Sequence, residues 1–298
     1  MLTIFSVPRD FKTTDTARRQ RNAFKSWIAL TPQPEIILFG DDAGIAQACA
    51  EFGVRHVPEV LKNEYGTPRL DSVFKKAQAI ARNPIVCYVN ADIILTDGFL
   101  TAVARVNRWR SGFLAVGQRM NVDLPEDIDM ASPNWLEILE KTVAERGKPE
   151  APEGSDFFVF PKSIEISMPP FVVGRPAWDN WMIYYFRKIG VPVVDVSRAY
   201  KPIHQIHDYS HVFQRRGARW SGPEGDQNIR LLGYNESIRF FLMDATHVMD
   251  EGSVREQQSR HCLPTRVLHF MALHFPVFCK LMSWPLRLYH ATFSGVGR

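Results

Sequence analysis

Ile85-Val-Cys-Tyr-Val-Asn-Ala-Asp-Ile-Ile-Leu95 is an apolar run broken by one polar step, Asn90-Ala91-Asp92. Unbroken β-branched runs of this kind read as a strand buried on both faces of an α/β sheet. A carboxylate inside such a strand costs several kcal/mol unless it is paired or holds a cation. The strand is therefore expected to end near Asn90. Asp92 then faces the crevice beyond the strand's carboxyl end, where open α/β sheets take their ligands. A carboxylate there is placed to carry a divalent metal against a diphosphate.

The surrounding rhythm agrees. Strand patterns at Leu2 to Val7, Glu35 to Phe39 and Arg55 to Val60 alternate with helix patterns at Thr16 to Leu30, Ala43 to Phe52 and Thr67 to Arg82. Alternation of this kind predicts right-handed crossovers and a mainly parallel, Rossmann-like sheet with flanking helices. A helix from Phe99 to Arg110 and a strand from Phe113 to Gln118 follow. Residues 121–155 are polar, with one short helix at Asn134 to Arg146, and are expected to form a functional loop or lid. Phe157 to Pro161 and Val191 to Val196 return to the sheet, with an aromatic-rich helix, Trp178 to Ile189, between them.

The composition is that of a globular protein, with 45% hydrophobic and 23% charged residues. A net charge of +4 without a long basic run excludes nucleic acid as the expected partner. Cys49, Cys87, Cys262 and Cys279 are widely spaced with no C-x-x-C, and Cys49 and Cys87, in expected core elements, suggest free thiols in a reducing compartment. No signal-peptide pattern opens the chain, so a cytoplasmic location is expected.

Three segments in this order resemble the GT-A nucleotide-sugar glycosyltransferases. Asn90-Ala91-Asp92 resembles their Asp-x-Asp metal motif. Gly174-Arg-Pro-Ala-Trp-Asp-Asn-Trp181 resembles the acceptor-side segment that supplies a catalytic base. Ile203-His-Gln-Ile-His-Asp-Tyr-Ser-His211 stands where a late histidine completes the metal site. The resemblance spans Leu2 to His211. It implies a catalytic domain over residues 1–214, with a nucleotide-binding half (1–98) and an acceptor half (99–214). It also implies Mn²⁺ or Mg²⁺ on Asp92 and His207, a nucleotide-diphosphate sugar as donor, and a saccharide or glycan hydroxyl as acceptor. The chain departs from the pattern at Asn90, an amide that brings no charge to a metal.

On this reading Asp179 is the general base of an inverting transfer, though a plain helix N-cap also accounts for an aspartate there. Trp178 and Trp181 flank it and would offer aromatic faces to a sugar. Strand ends place Val7, Asp41 and Asp42 around the nucleotide, and Arg69 and Asp71 open a helix toward the same crevice. Asp156 is expected to hold an acceptor hydroxyl, and Arg175 to orient Asp179 or a substrate anion. Two other readings stay open. His204, His207 and His211 would share one face if helical, making a zinc hydrolase. A crevice lacking charge at Asn90 would make a non-catalytic sugar-nucleotide-binding protein.

Residues 215–298 read as a mostly helical appendage, with Trp220 to Gly225 as a flexible link and Arg230 to Met243 as a helix or strand pair. Residues 267–293 are strongly apolar but reach no charge-free run of ~18 residues, the length a membrane span needs. They are expected either to pack on the core or to lie in a membrane surface, with Trp284, Tyr289, Lys280, Arg287 and Arg298 at the interface. The latter would suit polysaccharide synthesis on a lipid carrier at the cytoplasmic membrane face.

Overall fold

The computed structural model describes residues 1–151, 154–206, 222–234, 238–250, 252–258, 261 and 263–281. His207, His211, Cys262 and the stretches 207–221 and 282–298 lie outside the described residues, and with them the expectations placed on them.

The first half follows the expected alternation: β1 (Leu2–Ser6), α1 (Thr14–Ala29), β2 (Glu35–Phe39), α2 (Ile45–Phe52), β3 (Arg55–Val57), α3 (Leu70–Ile80) and β4 (Ile85–Val89). Local chemistry sets several of these limits. Thr13 caps α1 by accepting from Thr16 N at 3.1 Å. Gly53, at φ +63°, closes α2 in the left-handed conformation that glycine adopts without penalty. The third helix starts at Leu70 rather than Thr67, because Pro68 and Arg69 form isolated bridges with Lys62 and Val172.

Next come β5 (Ile93–Ile94), α4 (Asp97–Trp109), β6 (Leu114–Val116), β7 (Met120–Val122), α5 (Trp135–Arg146), β8 (Lys148–Pro149), β9 (Phe157–Pro161), α6 (Trp178–Lys188), β10 (Val193–Asp195) and β11 (Ile203–Gln205). The chain continues through α7 (Pro223–Arg230), a 3-10 turn at Leu242–Asp244, β12 (His247–Met249), β13 (Val254–Glu256), α8 (Leu263–His274) and α9 (Pro276–Leu281).

The central sheet runs β13-β12-β10-β6-β9-β4-β1-β2-β3. Its pairings are mostly parallel, with β9 antiparallel between β4 and β6 and β13 antiparallel at one edge. As expected, β4 is covered on both sides: Val86 and Tyr88 join one core, Ile85, Cys87 and Val89 the other. The run breaks at Asn90, and Ile93 and Ile94 cross into a second sheet ordered β5-β11-β7-β8. The indole of Trp27 on α1 donates to Ile93 O at 2.8 Å and fixes that crossing.

Four features of the latter half differ from the sequence reading. The stretch 121–155 is not one loop: β7, α5 and β8 organise it, with a small core of Ile94, Val122, Leu139 and Ile203 beneath. The expected link at 220–225 runs into α7, which Pro223 initiates and whose Glu224 and Asn228 are buried against the body. In the 230–243 stretch, only a 3-10 turn forms among the described residues. The main sheet itself crosses the 214/215 division, because β12 pairs in parallel with β10.

Candidate active site

A cleft of about 460 Å³ opens at the carboxyl ends of β1 and β4. Val7, Asn90, Ala91, Asp92, Asp156, Arg175, Trp178 and Asp179 all line it, together with His204. Thus the three segments read from the sequence meet in one place, although Asp92 and Asp179 stand 87 positions apart in the chain.

Asp92 sits just past the end of β4, its side chain partly exposed. His204 Nε2 lies 3.4 Å from Asp92 Oδ2. His204 belongs to β11 and is held extended rather than on a helix, and it stands beside Asp92. Its other nitrogen, Nδ1, is 2.9 Å from Asn121 Oδ1. Arg119 Nε also donates to that amide oxygen, at 3.0 Å, while Asn121 Nδ2 donates to Glu150 Oε2 at 2.8 Å. Such a network makes Nδ1 the donor to Asn121 and turns Nε2 toward the Asp92 carboxylate. Buried Gln205 next door donates to Asp92 O at 3.0 Å and to Arg19 O at 2.8 Å, so the motif backbone is clamped to α1.

Asn90 has a structural task. Its side-chain amide donates to Asp156 Oδ1 at 2.6 Å, and its backbone N–H donates to Asp156 O at 2.9 Å. Arg119 Nη1 holds the other carboxylate oxygen of Asp156 at 2.6 Å. With a donor on each oxygen, Asp156 is a strut of the cleft wall, which it also lines.

Asp179 lies in the first turn of α6. Ala177, the residue that caps this helix, takes φ +87°, a left-handed conformation that is costly for any residue with a Cβ. Enclosure in the cleft pushes the Asp179 carboxyl up to about 6; the backbone N–H of Asn180 pulls the other way, and the charge of Asp156 adds to the rise. A carboxyl group with that poise is ionised at neutral pH yet basic enough to accept a proton.

The remaining expectations are corrected. Trp181 is core, packed against Phe171 and stacked on Tyr185, and Trp178 is wedged among Phe74, Tyr88 and Phe158 with only an edge in the cleft. Arg175 does not orient Asp179; it is bound to Glu224 through Nε at 3.1 Å and Nη2 at 2.6 Å. Asp41, Asp42, Arg69 and Asp71 do not line the cleft. Lys62 takes the two aspartates, at 2.5 and 3.6 Å, and Arg69 chelates Asp71.

The cleft also holds residues that the sequence reading passed over: Arg9, Arg19, Gln20, Arg119, Glu150 and Phe241. Arg9 directly follows the β1 end, so its place was readable from the topology that located Val7. Burial lowers the Arg9 pKa; Asp10 opposes this, and the charges of Arg175 and Arg19 reinforce it. The Arg9 guanidinium beside the β1 end is thus placed to meet an anion entering the cleft.

No family model matches this sequence, and no curated protein matches it either. Solved structures do resemble it. S. aureus TarS 1–349 in complex with UDP-GlcNAc superposes with a TM-score of 0.51 and 11% identity, over 97% of this chain and 77% of that one. The mannosyltransferase PcManGT from Pyrobaculum calidifontis, in complex with GDP-Man and Mn²⁺, gives 0.46 and 12% over 100% and 76%. Glucosyl-3-phosphoglycerate synthase from Mycobacterium tuberculosis, with Mn²⁺, UDP and glucosyl-3-phosphoglycerate, gives 0.45 and 13% over 90% and 91%. The likeness is one of architecture: this chain has the fold of the GT-A nucleotide-sugar glycosyltransferases.

Proposed function

We propose that the chain is a glycosyltransferase that moves a sugar from a nucleotide diphosphate to an acceptor hydroxyl of a saccharide or glycan, with inversion. The observation that carries this reading is the opposition, in one cleft, of a metal-type pair (Asp92 and His204) and a carboxylate poised near neutrality (Asp179).

The donor chemistry of the first pair fits a divalent cation. With Nδ1 donating to Asn121, Nε2 is the ring nitrogen that can ligate, and it stands 3.4 Å from a carboxylate oxygen, a separation that one shared cation spans. One carboxylate and one imidazole, with water and phosphate oxygens completing the shell, is a set that Mn²⁺ or Mg²⁺ accepts. Such an ion, held by Asp92 and His204, would supply charge stabilisation to the leaving diphosphate. Asn121 keeps His204 in the tautomer that can ligate, which is how outer partners tune such sites.

The chain's own residues do the rest. Arg9 and Arg19 face the diphosphate from the β1 side and offset its charge. Asp179 accepts the acceptor's hydroxyl proton as that oxygen bonds to the anomeric carbon. The bond from that carbon to the diphosphate oxygen breaks on the opposite face, which inverts the centre. One carboxylate is enough for such a displacement, as for the base of inverting glycosidases.

The zinc-hydrolase reading is not favoured, since β11 holds His204 extended. The non-catalytic reading leaned on Asn90, and the Asn90–Asp156 bond explains that amide without any loss of function.

A peripheral membrane contact belongs to the same proposal. Leu263, Val267, Phe270, Phe275, Val277 and Phe278 on and between α8 and α9 are each more than half exposed. No helix among the described residues is long and apolar enough to cross a membrane. An exposed apolar face followed by Trp284, Arg287 and Tyr289 suits insertion into a headgroup layer.

The test is a thermal-shift panel of nucleoside diphosphates and nucleotide sugars, with and without Mn²⁺, on wild type and Asp92→Ala. At 100 times its dissociation constant a ligand stabilises the fold by about 2.7 kcal/mol. A Mn²⁺-dependent shift with one nucleotide, absent in the variant, is expected. No shift with any nucleotide would overturn the proposal.

A further inference from the structure

Asp244, His261 and His269 converge outside the cleft. Asp244 ends the 3-10 turn, and its Oδ2 accepts from Phe241 N at 3.0 Å. Its Oδ1 faces His269 Nδ1 at 2.7 Å and His261 Nε2 at 3.0 Å. The three ligand atoms all lie within 4.8 Å of one another. The Asp244 side chain is 1% exposed, that of His269 8% and that of His261 14%. His269 is on α8, stacked on Phe240 with ring centroids 4.6 Å apart, and His261 stands just before the helix.

As hydrogen bonds alone, this arrangement overloads one atom. Arg187 Nη1 is a third donor, 3.4 Å from the same Oδ1. A carboxylate oxygen offers two lone pairs, so three donors cannot all be served well. Two imidazole nitrogens and one carboxylate oxygen are, however, a ligand set that zinc and its first-row neighbours bind strongly, with water in the open position. Tetrahedral ligation with metal–ligand bonds of about 2.0–2.2 Å sets ligand atoms about 3.3–3.6 Å apart, so the 2.7 and 3.0 Å contacts open by roughly half an ångström to admit an ion. The Arg187 guanidinium also lies 5.6 Å above the Phe240 ring, a second resting place for its charge when the oxygen is taken.

We propose that Asp244, His261 and His269 form a binding site for one zinc-class divalent ion, which pins α8 to the catalytic body. The ion is structural in this position, because it lies away from the cleft lining. It reaches the cleft indirectly: the turn that carries Asp244 begins at Phe241, which lines the cleft wall. The same clip fixes where the exposed apolar residues of α8 are held.

The full-length chain, stripped with a chelator, is incubated with ZnCl₂, desalted and assayed for metal by plasma mass spectrometry. To remove the cleft pair, the parent is the Asp92→Ala/His204→Ala variant. About one zinc per chain is expected in this parent, and a fall toward none when His261→Gln or His269→Gln is added. His261 is at the rim, so its substitution leaves the fold intact, as circular dichroism would verify. Incubation with CoCl₂ gives a second readout, a visible d–d absorption without the thiolate charge-transfer band that cysteine ligation produces. No bound zinc in the folded parent, zinc unchanged by His261→Gln, or a thiolate band would each overturn the site. Because the cleft pair is absent from the parent, the result is independent of the glycosyltransferase proposal.

Discussion

The Asn90 amide donates to Asp156 Oδ1 at 2.6 Å, across the seam where β9 runs antiparallel to β4. This bond accounts for the amide at the first position of the Asn90-Ala91-Asp92 triplet. An aspartate there would set a carboxylate against a carboxylate that Arg119 alone would have to balance.

Asn90→Asp is therefore expected to destabilise the fold at pH 7 by about 2–3 kcal/mol, the loss of a hydrogen bond to a charged group plus the new repulsion. Urea unfolding at pH 7 measures it. Equal stability of variant and wild type at pH 7 would mean that Asn90 is not a strut.

Asp179 makes a paired prediction about rate and stability. Transfer needs its ionised form, so kcat/KM should rise with pH through an apparent pKa near 6, and Asp179→Asn should lower kcat by about 10²–10⁴-fold. Stability runs the other way. The folded pKa lies above the ordinary carboxylate value of 3.8, so the group's contribution is fully present below about pH 4 and is lost as pH rises through 6. Asp179→Asn should then be more stable than wild type at pH 7, by about 1–3 kcal/mol, with the gain vanishing near pH 4. Thermal unfolding across that range checks the sign, and it needs no knowledge of the substrate.

How much of this was legible in the sequence follows from the range of each interaction. The end of β4 was readable because one polar step in an apolar run has few buried solutions. The place of Asp179 in the first turn of α6 was readable because a helix start and its carboxylate are local. The lone charges Asp41, Asp42, Arg69 and Asp71 lie off the cleft lining, because Lys62 and the Arg69–Asp71 pair satisfy them close at hand. That His204 stands beside Asp92 could be known only from the pairing of β11 with β5 and β7. The bond between Arg175 and Glu224 crosses 49 residues, and no periodicity announces it.

Asn228 is the clearest case of such long-range support. Fully buried on α7, it donates to Val172 O and Pro176 O, each at 3.1 Å, and accepts from Val172 N at 3.0 Å. These three bonds brace the turn that delivers Ala177 and Asp179 to the cleft. Asn228→Ala leaves buried backbone groups unpaired at about 1–3 kcal/mol each, so a loss of about 3 kcal/mol or more is expected. Limited proteolysis should show new cleavage around 172–177. Unchanged stability and protection would remove the role given to α7.

Arg9 provides the sharpest test of where a diphosphate sits. The other cleft arginines already have carboxylates: Arg19 with Asp15, Arg119 with Glu150 and Asp156, Arg175 with Glu224. Among the described residues no carboxylate forms an ion pair with Arg9, although it faces the cleft. A guanidinium crowded by the like charges of Arg175 and Arg19 gains more from an incoming anion than one already paired. Arg9→Ala should weaken nucleoside-diphosphate binding about 10–100-fold, from the 1.5–3 kcal/mol of a charged hydrogen bond. Arg9→Lys keeps the charge but loses the bidentate fork, so it should fall between the two. Titration calorimetry at two salt concentrations reads both the affinity and its ionic part. If Arg9→Ala binds as tightly as wild type, with the same salt dependence, the diphosphate lies elsewhere in the cleft.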